Sequence, residues 1–368
     1  QASSGKELVM KTGVNQGVPI TYYNLFISGA HVVVASGDPK TADDYLAMAK
    51  ASQSKKGREQ TVIRLAGQSL ALQPSGTGYF LRAYAKTDLK DYKGAIADYA
   101  KVLTIEPQNA VAYYNLGNIK RDTGNAQGAI HYFTKAIDNQ PQYVDAYINR
   151  GNIKDDLGNH QEAIADYDKA LEIFLQRTIS IKAQGNAYKI LYTYKLDNIY
   201  YNRGLANARL GNPRAAIADY NKALGLPPNH AREYNNRGNA KDDLGDTQGA
   251  ITDYTKAIAI NPQYSEAYMN RGLTKNDSGD YQGAIADYSK AIEINPQYTE
   301  AYINRCGAKI NSGDYQLAIA DCNKAIAINP QFAMAYHNRG ISKFLLNDRK
   351  GACSDWKKSL SLGNQLTE

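Results

Sequence analysis

A 34-residue period constrains this chain more than any other feature. Asn-Pro-Gln followed by an aromatic recurs at Asn261–Tyr264, Asn295–Tyr298 and Asn329–Phe332, 34 residues apart each time. With that period as the unit, eight copies begin at Gly76, Ala110, Val144, Asp197, Ala231, Ser265, Thr299 and Ala333. A chain built this way stacks equivalent units and has no single enlarging core. Its 368 residues therefore do not call for two or three globular domains.

Each copy reads as two helices. Position 20 is Ala in all eight, and position 8 is Gly in six, with Ala83 and Cys306 as exceptions. Small residues at both places let paired helices approach closely. Position 4 is Tyr throughout, and position 24 is aromatic in seven copies, which places large rings between the helices. Gly at position 15, as at Gly124 and Gly279, suits the left-handed residue that ends a first helix. Pro at position 32, as at Pro107 and Pro296, stops the second.

This pattern resembles the tetratricopeptide repeat (TPR), a family that favours an aromatic at position 4, Gly at 8, Ala at 20, an aromatic at 24, Ala at 27 and Pro at 32. The resemblance covers Gly76 to about Leu362 and is similar in style to bacterial members. It implies an all-α fold, a right-handed α-solenoid (superhelix) of 34-residue helix-turn-helix repeats. Residues 1–19 are expected to be a poorly ordered extension and 20–75 degenerate, TPR-like capping helices. Three repeats occupy 76–177, an insertion 178–196, five repeats 197–362 and a tail 363–368.

The family lines its concave groove with the first helix of each unit, chiefly through positions 2, 5, 6, 9, 12 and 13. Position 6 is Asn in seven consecutive copies: Asn115, Asn149, Asn202, Asn236, Asn270, Asn304 and Asn338. An Asn side chain offers an acceptor and a donor together, the complement of a peptide group. The file is similar to the asparagine ladder of the O-linked N-acetylglucosamine transferase superhelix and is expected to grip an extended peptide. Local bonds within each repeat are the competing reading. Position 5, with Tyr114, Ile148, Tyr201 and Met269, is expected to form side-chain pockets. Asp155, Asp156, Asp242 and Asp243 at positions 12 and 13 would add an acidic stripe favouring a basic ligand, although the Lys of position 11 offsets part of it.

One departure from the family is structural. Position 7, ordinarily apolar, is Arg in seven copies, and position 23 is Asp in the same seven. The remaining copy has Leu116 and Tyr132. The two positions change together inside one chain, so an Arg–Asp pair is expected across the helices of each unit. In one copy Cys306 replaces the Gly of position 8 and Cys322 the ring of position 24. Because these positions face each other in the family, a disulfide is one expectation, and two small buried hydrophobes the other.

The insertion carries Lys182, Tyr188, Lys189, Tyr192, Tyr194 and Lys195, with no acidic residue from Leu175 to Leu196. It is expected to lengthen the flanking helices, break near Gly185-Asn186 and present a basic, Tyr-rich partner surface. A solvated excursion packed on its neighbours is the alternative. At the other end, Phe344, Leu345, Leu346 and Trp356 have no following helix to cover them.

Other classes find little support. The net charge of +7 is scattered, so no nucleic-acid partner is expected. The most apolar stretch, Leu25–Ala35, spans 11 residues, against the ~20 that a membrane span requires. The five His fall at unlike repeat positions, and no metalloprotease helix, phosphate loop or nucleophile elbow is present. No catalytic residue, cofactor or metal is expected. A start at Gln1-Ala2-Ser3-Ser4 without Met matches a mature periplasmic or otherwise exported chain, and a trimmed cytoplasmic chain fits too. The reading is a non-catalytic scaffold that binds a protein or extended peptide, as adaptor or assembly factor. A structural component that oligomerises through the insertion and the uncapped end is the alternative, with the oligomeric state left open.

Overall fold

A computed structural model describes residues 41–363 except 54, 56, 182–185 and 228–229, and no side chains for 177–192. The 1–19 extension, residues 20–40 of the capping segment, Lys182 and the tail after 363 lie outside the described residues. Among the described residues there are eighteen helices and no strand. Contacts divide the chain into two compact units, one ending at Ala112 and one beginning at Tyr113.

The first unit holds α1 (Ala42–Gln53), α2 (Glu59–Leu72), α3 (Gly76–Asp88), α4 (Tyr92–Ile105) and the first turn of α5 (Ala110–Asp122). The capping helices bury Ala49, Val62, Leu65 and Ala66 against Leu81 and Ala85 of α3. The second unit continues with α6 (Ala126–Asn139), α7 (Val144–Asp156), α8 (His160–Ile181), α9 (Asn186–Arg209), α10 (Pro213–Leu224), α11 (Ala231–Asp242) and α12 (Thr247–Ile260). It ends with α13 (Ser265–Asp277), α14 (Tyr281–Ile294), α15 (Thr299–Asn311), α16 (Tyr315–Ile328), α17 (Ala333–Leu345) and α18 (Arg349–Ser361). From α3 onward each helix pair is one copy of the period, α1 and α2 preceding the eight copies, and the array is an all-α repeat solenoid. The insertion lengthens α8 and α9, which stop and start on either side of residues 182–185.

Local chemistry sets the helix ends. Six glycines at position 15 have positive φ, from 75° at Gly124 to 89° at Gly313. The second helix is capped by Asp246 or its equivalents Asp91, Asn125, Asp280 and Asp348, each accepting from a backbone N–H three residues on. Such caps are worth about 1 kcal/mol each. Between the helices, Tyr99, Phe133, Tyr167, Tyr220, Tyr254 and Tyr288 are essentially inaccessible. Their rings lie against position 8: a Cβ on Gly272 would come 2.7 Å from Tyr288, and one on Gly238 2.6 Å from Tyr254.

The Arg–Asp pair is present in all seven copies and is bidentate. Arg271, for example, donates from Nε to Asp287 Oδ2 at 2.9 Å and from Nη2 to Oδ1 at 2.6 Å. The Lys of position 11 adds a third donor, Lys275 Nζ lying 2.8 Å from Asp287 Oδ2. In copy 4 Asn207 takes that place, 3.1 Å from Asp219. Each guanidinium also sits over the Tyr of position 4, as Arg271 does 5.6 Å from the Tyr268 ring centre. Burial opposes ionisation of Asp98, Asp253 and Asp355, but the hydrogen bonds from Arg and Lys outweigh it and hold these carboxyls below the usual range.

The third guanidinium nitrogen reaches into the preceding copy, which the within-unit reading of the sequence missed. Nη1 donates to position 25: Arg150 to Thr134 at 3.0 Å, Arg203 to Asp168 at 2.6 Å, Arg237 to Asn221 at 2.6 Å. Arg271, Arg305 and Arg339 do the same to Thr255, Ser289 and Asn323. The sequence carried the signal. Sixteen residues before five of these Arg, and 35 before Arg203 across the insertion, lies a side chain with an acceptor, whereas sixteen before Leu116 lies Ala100.

In the seventh copy Cys306 and Cys322 form a disulfide between α15 and α16, with Cα atoms 5.8 Å apart and both side chains inaccessible. Cys353 is free and exposed.

Two outcomes follow. Gly272→Ala should destabilise the array by about 1–3 kcal/mol in a urea melt, because the added methyl meets the Tyr288 ring. Gly307→Ala, whose Cβ would lie 3.9 Å from its nearest neighbour, should stabilise by up to ~1 kcal/mol through helix propensity. In denaturant without reductant, alkylation should label only Cys353, and reduction should expose Cys306 and Cys322 and lower stability by about 3 kcal/mol. Labelling at all three sites before reduction would refute the cross-link.

Candidate functional site

The Asn file lies on the first helices of the second unit, and five of its seven amides are already engaged. Asn149 Nδ2 donates to Tyr114 Oη at 3.0 Å and to Asn118 Oδ1 at 3.1 Å. Asn202 Nδ2 donates to Asn152 Oδ1 at 3.0 Å, and Asn270 Nδ2 to both Asn235 and Asn239 Oδ1 at 3.1 Å. Asn236 donates to Tyr201 Oη at 3.1 Å, and Asn304 meets Met269 Sδ at 3.9 Å. Asn202 also donates to Asn198 Oδ1 of its own copy at 2.7 Å; every other acceptor belongs to position 5 or 9 of the preceding copy. The file is thus an inter-repeat link before it is a binding surface.

The network runs further into the core. Asn152 and Asn239 at position 9 also accept from the hydroxyls of Tyr167 and Tyr254, at 2.8 and 2.9 Å. Where position 9 is Leu205 or Leu273, the buried hydroxyls of Tyr220 and Tyr288 find no partner. Asn115 is buried and its Nδ2 likewise lacks a partner. Because the donor half of Asn149, Asn202, Asn236, Asn270 and Asn304 faces the neighbouring copy, the expected donor-plus-acceptor grip reduces to the side-chain carbonyl, and at Asn236 that carbonyl also accepts from Asn235 Nδ2 at 3.2 Å.

Position 5 does not form pockets. Tyr114, Ile148 and Met269 are buried, because this position packs on the ring of position 24. Tyr114 lies 5.6 Å from Phe133, and Tyr201 lies 6.1 Å from Tyr220, centre to centre. Tyr201 is also covered on one face by Arg232, 4.0 Å from its centre. Burial pushes the Tyr114 hydroxyl up to about 12, with the Asp145 charge adding to it and hydrogen bonds from Asn118 and Asn149 opposing it.

The acidic positions divide. Asp155 is buried and paired, bonding His160 Nδ1 at 2.7 Å and the Arg209 guanidinium, so it belongs to the scaffold. Asp156 is exposed, with Arg209 3.9 Å away. Asp243 and Asp277 are exposed and Asp242 half-buried. Burial raises the Asp242 carboxyl above its ordinary value, a hydrogen bond from Thr274 opposes this, and the Asp277 and Asp243 charges add to it.

Of the insertion residues, Tyr194 is exposed, whereas Lys195 is tied to Asp145 at 2.7 Å and is not an available cation. Tyr188, Lys189 and Tyr192 lie on α9, with side chains outside the described residues. Phe344, Leu345 and Leu346 are exposed; Trp356 is half-buried and donates to His337 O at 3.3 Å. No described helix is long and apolar enough to cross a membrane.

Asn270→Ala should cost about 1–2 kcal/mol in a urea melt through its two lost hydrogen bonds. Asn338→Ala, with no such bond to the preceding copy, should cost within about 0.5 kcal/mol. Equal costs would refute the inter-repeat role.

Comparison with known proteins bears on this geometry. Two models of the tetratricopeptide repeat match residues 144–174, 231–264 and 265–298, and residues 110–143, 197–230 and 299–332. A third, described as TPR repeat, matches 83–120. Together they cover more than half of the chain. No curated protein matches it at significance. A crystal structure of a tetratricopeptide repeat protein from Parabacteroides merdae is 23% identical with a TM-score of 0.52, covering 70% of this chain and 94% of that one. The APC/C hetero-tetramer Cut9-Hcn1 gives 18% identity and a TM-score of 0.50 over 87% of this chain and 58% of that one. At these identities the likeness is one of fold. A crystal structure of MamA is 28% identical with a TM-score of 0.41, over 43% of this chain and 93% of its own.

Proposed function

The chain belongs to the tetratricopeptide-repeat family, and from that premise we propose that it is a non-catalytic scaffold whose first-helix face holds an extended, basic peptide segment of a partner, as adaptor or assembly factor. The observation that carries this reading is the polarity of the Asn file. With their amide N–H groups turned to the preceding copy, Asn149, Asn202, Asn270 and Asn304 offer carbonyl acceptors to a ligand's N–H groups. Asp243 and Asp277, exposed two turns along the same helices, add anionic acceptors. An acceptor-rich face suits a donor-rich ligand, an extended chain carrying Lys or Arg. The Cys306–Cys322 disulfide supports placing the scaffold in an oxidising, exported compartment.

Fluorescence polarisation with three labelled peptide pools of equal length (Lys/Arg-rich, neutral and Asp/Glu-rich) tests this. The basic pool should bind at least about tenfold more tightly than the acidic one. Asp243→Asn with Asp277→Asn, both exposed and expected to leave stability within about 0.5 kcal/mol, should remove most of that preference. Equal binding of all pools, or an unchanged preference in the double variant, would refute the assignment. Self-association rising with concentration in place of any peptide binding would favour the oligomerising alternative.

A further inference from the structure

Copies 4 and 5 meet at a joint unlike any other in the array. Position 1 is uncharged in seven copies and Asp197 in the fourth; position 3 is Gly, Ala or Ile in seven and Glu233 in the fifth. His230 stands just before α11, where three later turns hold Tyr or Phe. All three departures converge. Asp197 and Glu233 are 2% and 1% exposed. Asp197 Oδ2, Glu233 Oε2 and His230 Nε2 are buried without a hydrogen-bond partner.

Among the described residues one permanent cation, Arg232, is placed against this set. Arg232 donates from Nε to Glu233 Oε1 at 2.6 Å, but its Nη2 remains 3.8 Å from Asp197 Oδ2. Its guanidinium also lies over the Tyr201 ring, 4.0 Å from its centre. His230 Nε2 lies 3.7 Å from the same Asp197 oxygen. With both carboxylates ionised and the imidazole neutral, the joint holds two negative charges and one positive. A buried charge without a partner is among the costliest arrangements in a protein interior. A proton on one of the carboxylates would balance the charge of this set.

We propose that this joint is a proton-sensitive contact between copies 4 and 5: uptake of one proton by the Asp197 carboxyl, buried beside Glu233, closes α9 against α11, and its loss loosens them. The groups facing Asp197 are Arg232 and Glu233 from α11 and His230 from the turn before it. Tyr201 of α9 faces the same set, as does Tyr264 before α13. Burial pushes the Asp197 carboxyl up to about 7, the Glu233 charge adds to it and Arg232 opposes it. The folded chain therefore binds this proton more tightly than the unfolded chain does. The stabilisation is fully present below the ordinary carboxyl value of 3.8 and is lost as pH rises through about 7. The effect reaches the Asn file, because Tyr201 Oη accepts from Asn236 Nδ2.

The full-length chain with ¹³C-labelled Asp provides the test. The Asp197 carboxyl resonance, assigned by its loss in Asp197→Asn, should titrate near pH 7 rather than near 4. Amide-exchange protection of α9 and α11, corrected for intrinsic rates, should fall about tenfold between about pH 5.5 and about pH 8, while α15–α18 stay unchanged. Glu233→Ala, which restores the Ala of five other copies, should lower the Asp197 midpoint and flatten the pH dependence, and it should strengthen protection at the higher pH. A midpoint near 4 in the natural chain, uniform protection across the pH range, or lower protection in Glu233→Ala would each overturn the proposal.

Discussion

The guanidinium of position 7 is the interaction on which the array depends. An Asp carboxylate at position 23 is buried between two helices and is tolerable there only with its charge balanced and its oxygens bonded. Arg supplies a planar fork that matches both oxygens, and the Lys of position 11 adds a donor. The fork has one nitrogen left over, which reaches the preceding copy at position 25. One side chain thus fixes the register of the two helices within a copy and the register of that copy on its neighbour. Such a pair contributes more to specificity than to net stability, since two apolar residues could fill the same space. Copy 2 takes an apolar route: Leu116 replaces the Arg, and Tyr132 stacks on Tyr113 with centres 6.5 Å apart.

The fold was legible because its constraints repeat. Gly at position 8 and a ring at position 24 are two halves of one contact, and in copy 7 both are replaced together by Cys306 and Cys322. The Arg–Asp pairing could likewise be read from the copy that lacks it. Links between copies were harder to see, because they join positions that are compared only after shifting one copy against the next. Asn270 pairs with Asn239 at an offset of 31 residues and with Asn235 at 35, so neither appears in a column of aligned repeats. The same blindness hid position 25, although Ala100 ahead of Leu116 was in view.

The binding face was read less well, for a related reason. Expectations for position 5 came from what the family does with its groove, not from the volumes in this chain. Here rings at position 24 demand a neighbour, and Tyr114, Ile148 and Met269 supply it from the inside. Asp155 falls in the acidic stripe by sequence position, but His160 and Arg209 close over it. The surviving candidates, Asp242, Asp243 and Asp277, belong to copies whose position 12 or 13 has no His or Arg to meet it.

A solenoid is coupled only through nearest neighbours, so a change at one joint is not averaged over a shared core. The term that links copies 4 and 5 stands between the segments on either side of it. Elsewhere that joint is lined by small uncharged residues, whose burial is insensitive to pH. Replacing two of them with carboxylates, one on the longest described helix and one on the first helix of the next copy, makes one neighbour term depend on a proton while the others stay fixed. The physical consequence is local by construction. The segments before and after the joint keep their own packing, and the relation between them, including the spacing of Asn236 from its predecessors on the file, takes up the change.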